Sequence, residues 1–109
     1  MEDAVKYDID LIRKAVSEAI AHCQQFKDTD DGGTCNFDAC IIYIPGMREL
    51  AAKSIANTWL FTSGWHGRTL HIGGTEGQGM RRTKMAEAQR DYLKLNYPQI
   101  NVGMYYQMD

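Results

Sequence analysis

The sequence predicts an α+β domain in which a long helix precedes a mainly antiparallel sheet. Three observations favour this class. Residues 3–27 place apolar side chains at helical spacing between charged ones, residues 36–44 are β-prone and end at a Pro-Gly pair, and residues 100–109 alternate strictly between two sets of side chains. A period near 3.6 indicates an amphipathic helix, and a period of two indicates a strand. We therefore expect both kinds of element in one chain.

Length and composition limit the domain organisation. The chain has 109 residues, 44% of them hydrophobic, and a formal net charge of −2. This is enough for one small domain with its own core. We interpret residues 1–27 as the N-terminal amphipathic helix and residues 34–109 as an α/β body, with an Asp- and Gly-rich loop between them. At 1.5 Å per residue the helix would be about 37 Å long, so part of its apolar stripe could meet a second copy or simply pack across the domain's own sheet.

The body contains four predicted strands and two predicted helices. A short helix follows the first strand over residues 47–57, and residues 58–72 form a hairpin that turns at His66-Gly67, with a single strand as the alternative. A third helix ends before Pro98, and the last strand completes the chain. The order βαββαβ behind an extra helix predicts the ferredoxin-like, split βαβ arrangement of an antiparallel sheet. A single strand over residues 58–72 would instead give a three-stranded sheet with right-handed crossovers.

The glycine loop, residues 73–84, is the most informative segment. It holds four glycines and then three basic residues at the start of the third helix. Helix N-termini present unpaired amides and partial positive charge, which favours an anion such as phosphate. The predicted phosphate ligands are Gly77, Gln78, Gly79, Arg81, Arg82 and Lys84, and a base would stack on Trp65 or Tyr105. In the alternative interpretation the glycines only form a turn and the basic side chains point into water.

Aromatic residues also mark the outer face of the first and third strands, where RNA-recognition domains stack bases. The candidates are Phe37, Tyr43, His71 and Tyr105. None of them lies in a pattern typical of those domains, so we expect these side chains to form core beneath the N-terminal helix rather than an open surface.

Metal and catalytic sites are weakly indicated. Cys35, Cys40, His66 and His71 are the residue types that bind zinc, but a spacing of five on a strand points side chains to opposite faces. We expect no metal, no cofactor and no disulfide, with the cysteines reduced. No signature links a nucleophile to a base, so a non-catalytic protein is favoured.

Charge and hydropathy argue against duplex DNA and membranes as partners. Acidic residues concentrate in the first 31 positions and the rest of the chain is mildly basic, a balance too weak for general binding to duplex DNA. The chain opens with acidic residues where a secretion signal has positive ones, and its apolar runs are too short to cross a membrane. We expect a soluble protein of the cytoplasm.

Three segments resemble small uncharacterised proteins of bacteriophage and prophage genomes: Thr34–Asp38, Gly77–Ala88 and Tyr105–Asp109. The resemblance implies the cytoplasm of an infected bacterium and two recurring roles, namely oligomeric sponges for nucleotide immune signals and inhibitors that dock on host defence complexes. The leading hypothesis is a non-catalytic, homo-oligomeric protein that sequesters a phosphate-containing nucleotide. The alternatives are an inhibitor that presents its acidic helix or open sheet to a host protein, and a module that binds RNA or single-stranded DNA.

Overall fold

The computed structural model describes residues 7–29, 32, 37–64, 67–77 and 79–106. Its elements are α1 (Ile9–Cys23), a 3-10 turn (Gln24–Phe26), β1 (Ala39–Tyr43), α2 (Glu49–Lys53), β2 (Thr58–Ser63), β3 (Gly67–Ile72), α3 (Gly79–Asn96) and β4 (Val102–Tyr105). Each predicted element of the body is present, although β1, α2 and β4 are shorter than the sequence predicted. The predicted positions 1–6, 33–36 and 107–109 lie outside the described residues.

The four strands form one sheet in the order β2-β3-β1-β4, and every neighbouring pair is antiparallel. The hairpin prediction over residues 58–72 is confirmed, because β2 and β3 pair from Thr58 opposite Ile72 to Ser63 opposite Gly67. The single-strand alternative is therefore wrong. The α+β class, with an antiparallel sheet preceded by a helix, is also confirmed.

Helix α1 begins at a side-chain cap. Asp8 has an extended backbone, and its Oδ1 accepts a hydrogen bond from the Leu11 backbone N–H at 3.0 Å. Such a cap satisfies one of the amides that the first turn leaves unpaired. The helix has 15 residues, so at 1.5 Å per residue it is roughly 22 Å long rather than the predicted 37 Å. It fits across the chain's own sheet.

Helices α1 and α3 pack side by side on one face of that sheet. The core between the layers consists mainly of aliphatic side chains from alternate strand positions and from the helices, including Val16, Ile42, Leu70, Ile72 and Leu93. The apolar stripe of α1 is thus used within the chain. Of the two outcomes that the sequence left open for this stripe, the structure shows packing across the domain's own sheet.

A partly buried polar contact joins α1 to α3 and to the residue that follows α3. Glu18 Oε1 accepts hydrogen bonds from the hydroxyls of Tyr97, at 2.6 Å, and Tyr92, at 2.8 Å. These two bonds lower the pKa of the Glu18 carboxyl, and the bond to Glu18 raises the pKa of Tyr97 to about 12. The contact links positions almost eighty residues apart and orients the helix pair.

None of the helices in the described part of the chain is long and apolar enough to cross a membrane.

Candidate functional site

The candidate site is the face of the sheet opposite α1 and α3, which we call the aromatic face. Alternation places Tyr43 of β1, Trp59 and Phe61 of β2, His71 of β3 and Tyr105 of β4 there. The prediction that aromatic residues of β1 and β3 form core beneath the N-terminal helix is wrong. The helix packs on the other face because that face carries the aliphatic side chains, which fill a close-packed layer better than tilted rings with polar tips.

A cavity of about 520 Å³ lies on the aromatic face. Ten described side chains line it: Phe37, Ile41, Tyr43, Trp59, Phe61, Thr62, Thr69, His71, Arg82 and Tyr105. Its volume lies within the range of small-ligand sites, about 300–1,000 Å³. A cavity of this size lined mostly by rings can enclose a flat apolar group.

Four of the lining rings are about half exposed. The exposed fractions are 49% for Phe37 and Phe61, 43% for Trp59 and 38% for Tyr105. Large apolar side chains that cluster on a surface rather than occurring singly typically mark a binding site. The rings therefore favour a ligand that stacks on them.

His71 lies at the centre of these rings and is only 8% exposed. Its ring centroid is 4.2 Å from that of Phe61, 5.2 Å from that of Tyr105 and 6.2 Å from that of Trp59. Burial lowers the pKa of the imidazole below its ordinary value of 6.5, so the ring is neutral at pH 7. The centre of the face is therefore an uncharged aromatic ring with a polar nitrogen rather than a fixed cation.

Two glycines allow rings to lie against the backbone of the sheet. A Cβ atom at Gly103 would be 2.8 Å from the hydroxyl oxygen of Tyr43, and one at Gly73 would be 3.3 Å from Cζ3 of Trp59. Atoms in contact are ordinarily about 3.5–4.0 Å apart, so an alanine at position 103 would displace the Tyr43 ring. At position 73 the nearest atom would be the Asn57 carbonyl oxygen at 3.0 Å, and the Trp59 ring would have to yield by only a few tenths of an ångström. Gly103 therefore makes room for the ring of Tyr43, which lines the cavity.

Arg82 places a cation at the edge of the aromatic face. Its Nε donates to the Asp38 carbonyl at 3.1 Å, and the hydroxyl of the neighbouring Thr83 donates to Asp38 Oδ2 at 2.7 Å. A guanidinium has five N–H donors, so this anchoring bond uses one of them. Arg82 is held beside Phe37 and Tyr105 as a cation that can meet an anionic group of a bound ligand.

The other predicted phosphate ligands lie apart from this cavity or have other contacts. Arg81 Nε donates to the Thr29 carbonyl at 2.8 Å, and its side chain lies over Gly77, where a Cβ would be 2.8 Å from Arg81 Cδ. Lys84 is exposed on α3. At the start of α3, where Gly79 is buried, the Met80 N–H donates to the Gly32 carbonyl at 2.9 Å.

Of the predicted site residues, the structure thus brings Arg82 and Tyr105 together. Gln78 and Trp65 lie outside the described residues. A phosphate site formed by the loop amides stays a prediction.

Two glutamine side chains hold the start of the glycine loop by hydrogen bonds to its carbonyls. Gln89 is fully buried, and its Nε2 donates to the Gly73 carbonyl at 2.9 Å and to Cys23 Sγ at 3.3 Å. Gln24 Nε2 donates to the next carbonyl, that of Gly74, at 3.0 Å. These bonds explain how an irregular loop keeps a defined position beneath Trp59.

The two described members of the candidate zinc set, Cys40 and His71, lie on opposite faces of the sheet. Cys40 is buried in the core on the helix side, and His71 lies on the aromatic face. The other two members, Cys35 and His66, lie outside the described residues. Over the described ranges, no group of three or more potential metal ligands occurs.

Sequence reasoning assigned no ligand role to Trp59, Phe61, Gly73 or Gly103. The two aromatic residues were used only as strand formers, although their spacing of two already puts them on one face of β2. A glycine at an interior position of a predicted strand is a signal of close approach, and Gly103 carries it. This signal could have indicated that a side chain of a neighbouring strand, here Tyr43, lies against β4.

Comparisons with known proteins found no match to the chain among family models, curated proteins or solved structures. The physical properties of the aromatic face are therefore the basis for a functional conclusion.

Proposed function

We propose that the chain is a non-catalytic nucleotide-binding protein whose aromatic face receives a base. The observation that carries the proposal is a cavity that combines four half-exposed rings with the guanidinium of Arg82. Stacking of a base on an aromatic ring contributes about 1–3 kcal/mol. Arginine is well suited to phosphate because its N–H groups match two phosphate oxygens. A nucleotide is a ligand that needs both features within one cavity.

The strand order supports a ferredoxin-like fold as part of this proposal. β1 and β2 run parallel with β3 between them, and β3 and β4 run parallel with β1 between them. Two interleaved parallel pairs are the split βαβ arrangement. Helix α2 has only five residues, and α1 instead completes the helix layer beside α3. In this variant of the fold, the opposite face of the sheet is left for ligand.

The lining residues favour binding over catalysis. Among the described side chains of the cavity there is no carboxylate and no thiol, and its imidazole is enclosed by Phe61 and Tyr105. A side-chain nucleophile activated by a base within hydrogen-bonding reach is the signature of covalent catalysis. We propose sequestration of a nucleotide signal in an infected bacterium as the biological role, with a homo-oligomer formed through a surface other than the stripe of α1.

A protein-docking function is the second candidate, because exposed aromatic rings are also typical of protein interfaces. The aromatic face supports this version better than the acidic helix does. Asp10 is paired with Arg13 at 2.9 Å, and Glu18 accepts hydrogen bonds from Tyr92 of α3 and from Tyr97, the residue that follows α3. Charge reversal at Glu18 would disturb the helix pair itself, so a test of docking has to use the rings.

Calorimetric titration with nucleosides and nucleotides tests the proposed function. Phe61→Leu keeps an apolar side chain but removes the aromatic ring, so we expect affinity to fall roughly 5- to 100-fold, as for the loss of one stacking contact. Leu50→Ala is the matched control, since Leu50 is 85% exposed and lies on α2, away from the face. The control should bind like the wild type.

Two results would contradict the proposed function. One is a folded wild-type protein that binds no nucleoside or nucleotide at millimolar concentration. The other is equal affinity in Phe61→Leu and Leu50→Ala. A purified host defence protein that binds the wild type but not Phe61→Leu would instead establish docking.

A further inference from the structure

The charge of the cavity limits the ligand. Arg82 is the one cationic side chain among the described lining residues, and none of those residues is acidic. Arg81 is anchored to the Thr29 carbonyl, and Lys84 is exposed on α3 outside the cavity. A nucleoside triphosphate carries several negative charges and is usually bound with Mg²⁺ held by carboxylates. The cavity offers neither several cations nor a carboxylate, so it matches a ligand with a single negative charge.

The half-exposed rings form two sets on either side of His71. Trp59 and Phe61 belong to β2, at one edge of the sheet. Tyr105 belongs to β4, at the other edge, and Phe37 precedes β1, the strand beside β4. Strands β2 and β4 are three strand spacings apart, roughly 14 Å. Their rings nevertheless converge, because Phe61 and Tyr105 both contact the ring of His71. Each set offers its own stacking surface, and the two surfaces are close enough for one short ligand to reach both.

Resting on the proposed function, we infer that the ligand consists of two bases joined by a single phosphodiester, with one base on each ring set and the phosphate paired with Arg82. A phosphodiester carries one negative charge, which one guanidinium balances. Two stacked bases use both ring sets, whereas a mononucleotide leaves one set in water. A free dinucleotide and a segment of single-stranded nucleic acid share this chemistry, and the site size distinguishes them.

The experiment compares four probes by calorimetry: adenosine, magnesium-free ATP, the dinucleoside monophosphate ApA and the octanucleotide A8. We expect ApA to bind at least tenfold more tightly than either adenosine or ATP. The association constant of A8 should exceed that of ApA by no more than the statistical factor, which is the number of overlapping dinucleotides that A8 contains. Since ApA carries one charge and no condensed counterions, its association constant should fall only shallowly as the salt concentration rises, through screening of the single pair of phosphate and guanidinium.

Three variants test the assignment of Arg82. Arg82→Gln should abolish the salt dependence for ApA and lower its affinity to that of an uncharged ligand, whereas Lys84→Gln, with the same change of charge on the same helix, should leave both unchanged. Arg82→Lys should keep the salt dependence with weaker binding, because an ammonium lacks the paired donors of a guanidinium. Circular dichroism confirms that each variant is folded. If Arg82→Gln does not fold, Arg82→Lys against Lys84→Gln still decides the assignment.

Each contrary result has a distinct meaning. Tighter binding of ATP than of ApA, or equal binding of adenosine and ApA, overturns the inference and leaves nucleotide binding intact. A8 binding far beyond the statistical factor, with a salt dependence several times steeper, replaces the dinucleotide with a longer single strand. Equal losses in Arg82→Gln and Lys84→Gln overturn the role of Arg82. Failure of all four probes to bind overturns the inference for adenine ligands, and it overturns the proposed function as well when the other nucleosides and nucleotides also fail to bind.

Discussion

Replacement of Gly103 by alanine should change the shape of the aromatic face with little effect on the stability of the fold. The new Cβ would lie 2.8 Å from the Tyr43 hydroxyl oxygen and 2.9 Å from Cε2 of the same ring. Ordinary contacts need about 3.5–4.0 Å, so the ring has to move by roughly 1 Å. The atoms in the way belong to the outer end of one side chain and not to backbone, so the ring can move. It would move away from the sheet and toward the cavity.

Two opposing terms keep the change in stability small. Alanine restricts the unfolded chain more than glycine does, which stabilises the folded state by about 0.4–1 kcal/mol where the backbone conformation suits it. Gly103 lies within β4, and its φ is not positive. Loss of the ring's contact with the strand acts in the other direction by a similar amount. We expect the free energy of unfolding to change by less than about 1 kcal/mol, and ligand affinity to fall about tenfold, the effect of one impaired stacking contact.

Urea unfolding and calorimetric titration with ApA measure these two quantities on the same preparation. The control is a double-mutant cycle with Tyr43→Ala, because alanine at position 103 has nothing to displace once the ring is gone. In that background Gly103→Ala should cause no further loss of affinity. A loss of more than 2 kcal/mol in stability together with unchanged affinity would refute the account of Gly103 as a support for the ring.

Two further predictions concern the parts that hold the fold together. The hydrogen bonds from Tyr97 and Tyr92 lower the pKa of Glu18, so the contact stabilises the folded protein above pH 4.5, the ordinary carboxyl pKa, and this stability is lost as the pH falls through the lowered pKa. The pKa of Tyr97 is raised to about 12, so its hydroxyl stabilises the folded protein below pH 10, and this stability is lost as the pH rises toward 12. The thermal midpoint of unfolding should therefore fall at both acidic and alkaline pH. Glu18→Gln should make the fall at acidic pH shallower than Glu49→Gln does, because Glu49→Gln removes only an exposed surface ion pair. Thr83→Val should destabilise the protein by about 1.5–3 kcal/mol in urea unfolding, since it removes one hydrogen bond to the buried Asp38 carboxylate. A loss below about 0.5 kcal/mol would show that the other contacts of Asp38 are enough to hold it.

Most secondary structure could be predicted because it depends on local patterns. The alternation through Val102 and Met104 predicted β4, and the β-prone residues around Trp59, with a glycine at the turn, predicted the hairpin. The side of the sheet that α1 covers could not be predicted in the same way. Aromatic and aliphatic residues both suit a core, and the sequence was interpreted with the aromatic residues inside. The aliphatic positions that alternate with them, such as Ile42 and Leu70, in fact contact the helices.

Only part of the candidate site could be predicted, because its remaining contacts join positions that are distant in sequence. Arg82 and Tyr105 were selected from their residue types, and the structure places both beside one cavity. The contact of Arg81 with the Thr29 carbonyl joins residues more than fifty positions apart, and no local pattern reports a partner of that kind. The same holds for Tyr43 over Gly103, where the meaning of the glycine depends on which strand lies beside it.

The pairing of the first helix with the last one has a consequence for how the chain folds during synthesis. Helix α1 leaves the ribosome first, but α3, against which it packs, ends at Asn96. At about 5–20 residues per second, the apolar stripe of α1 waits on the order of several seconds for its partner. Contacts this distant in sequence also slow folding, because a long loop must close before they form. The nascent chain therefore presents the apolar stripe of α1 to chaperones until α3 has been made.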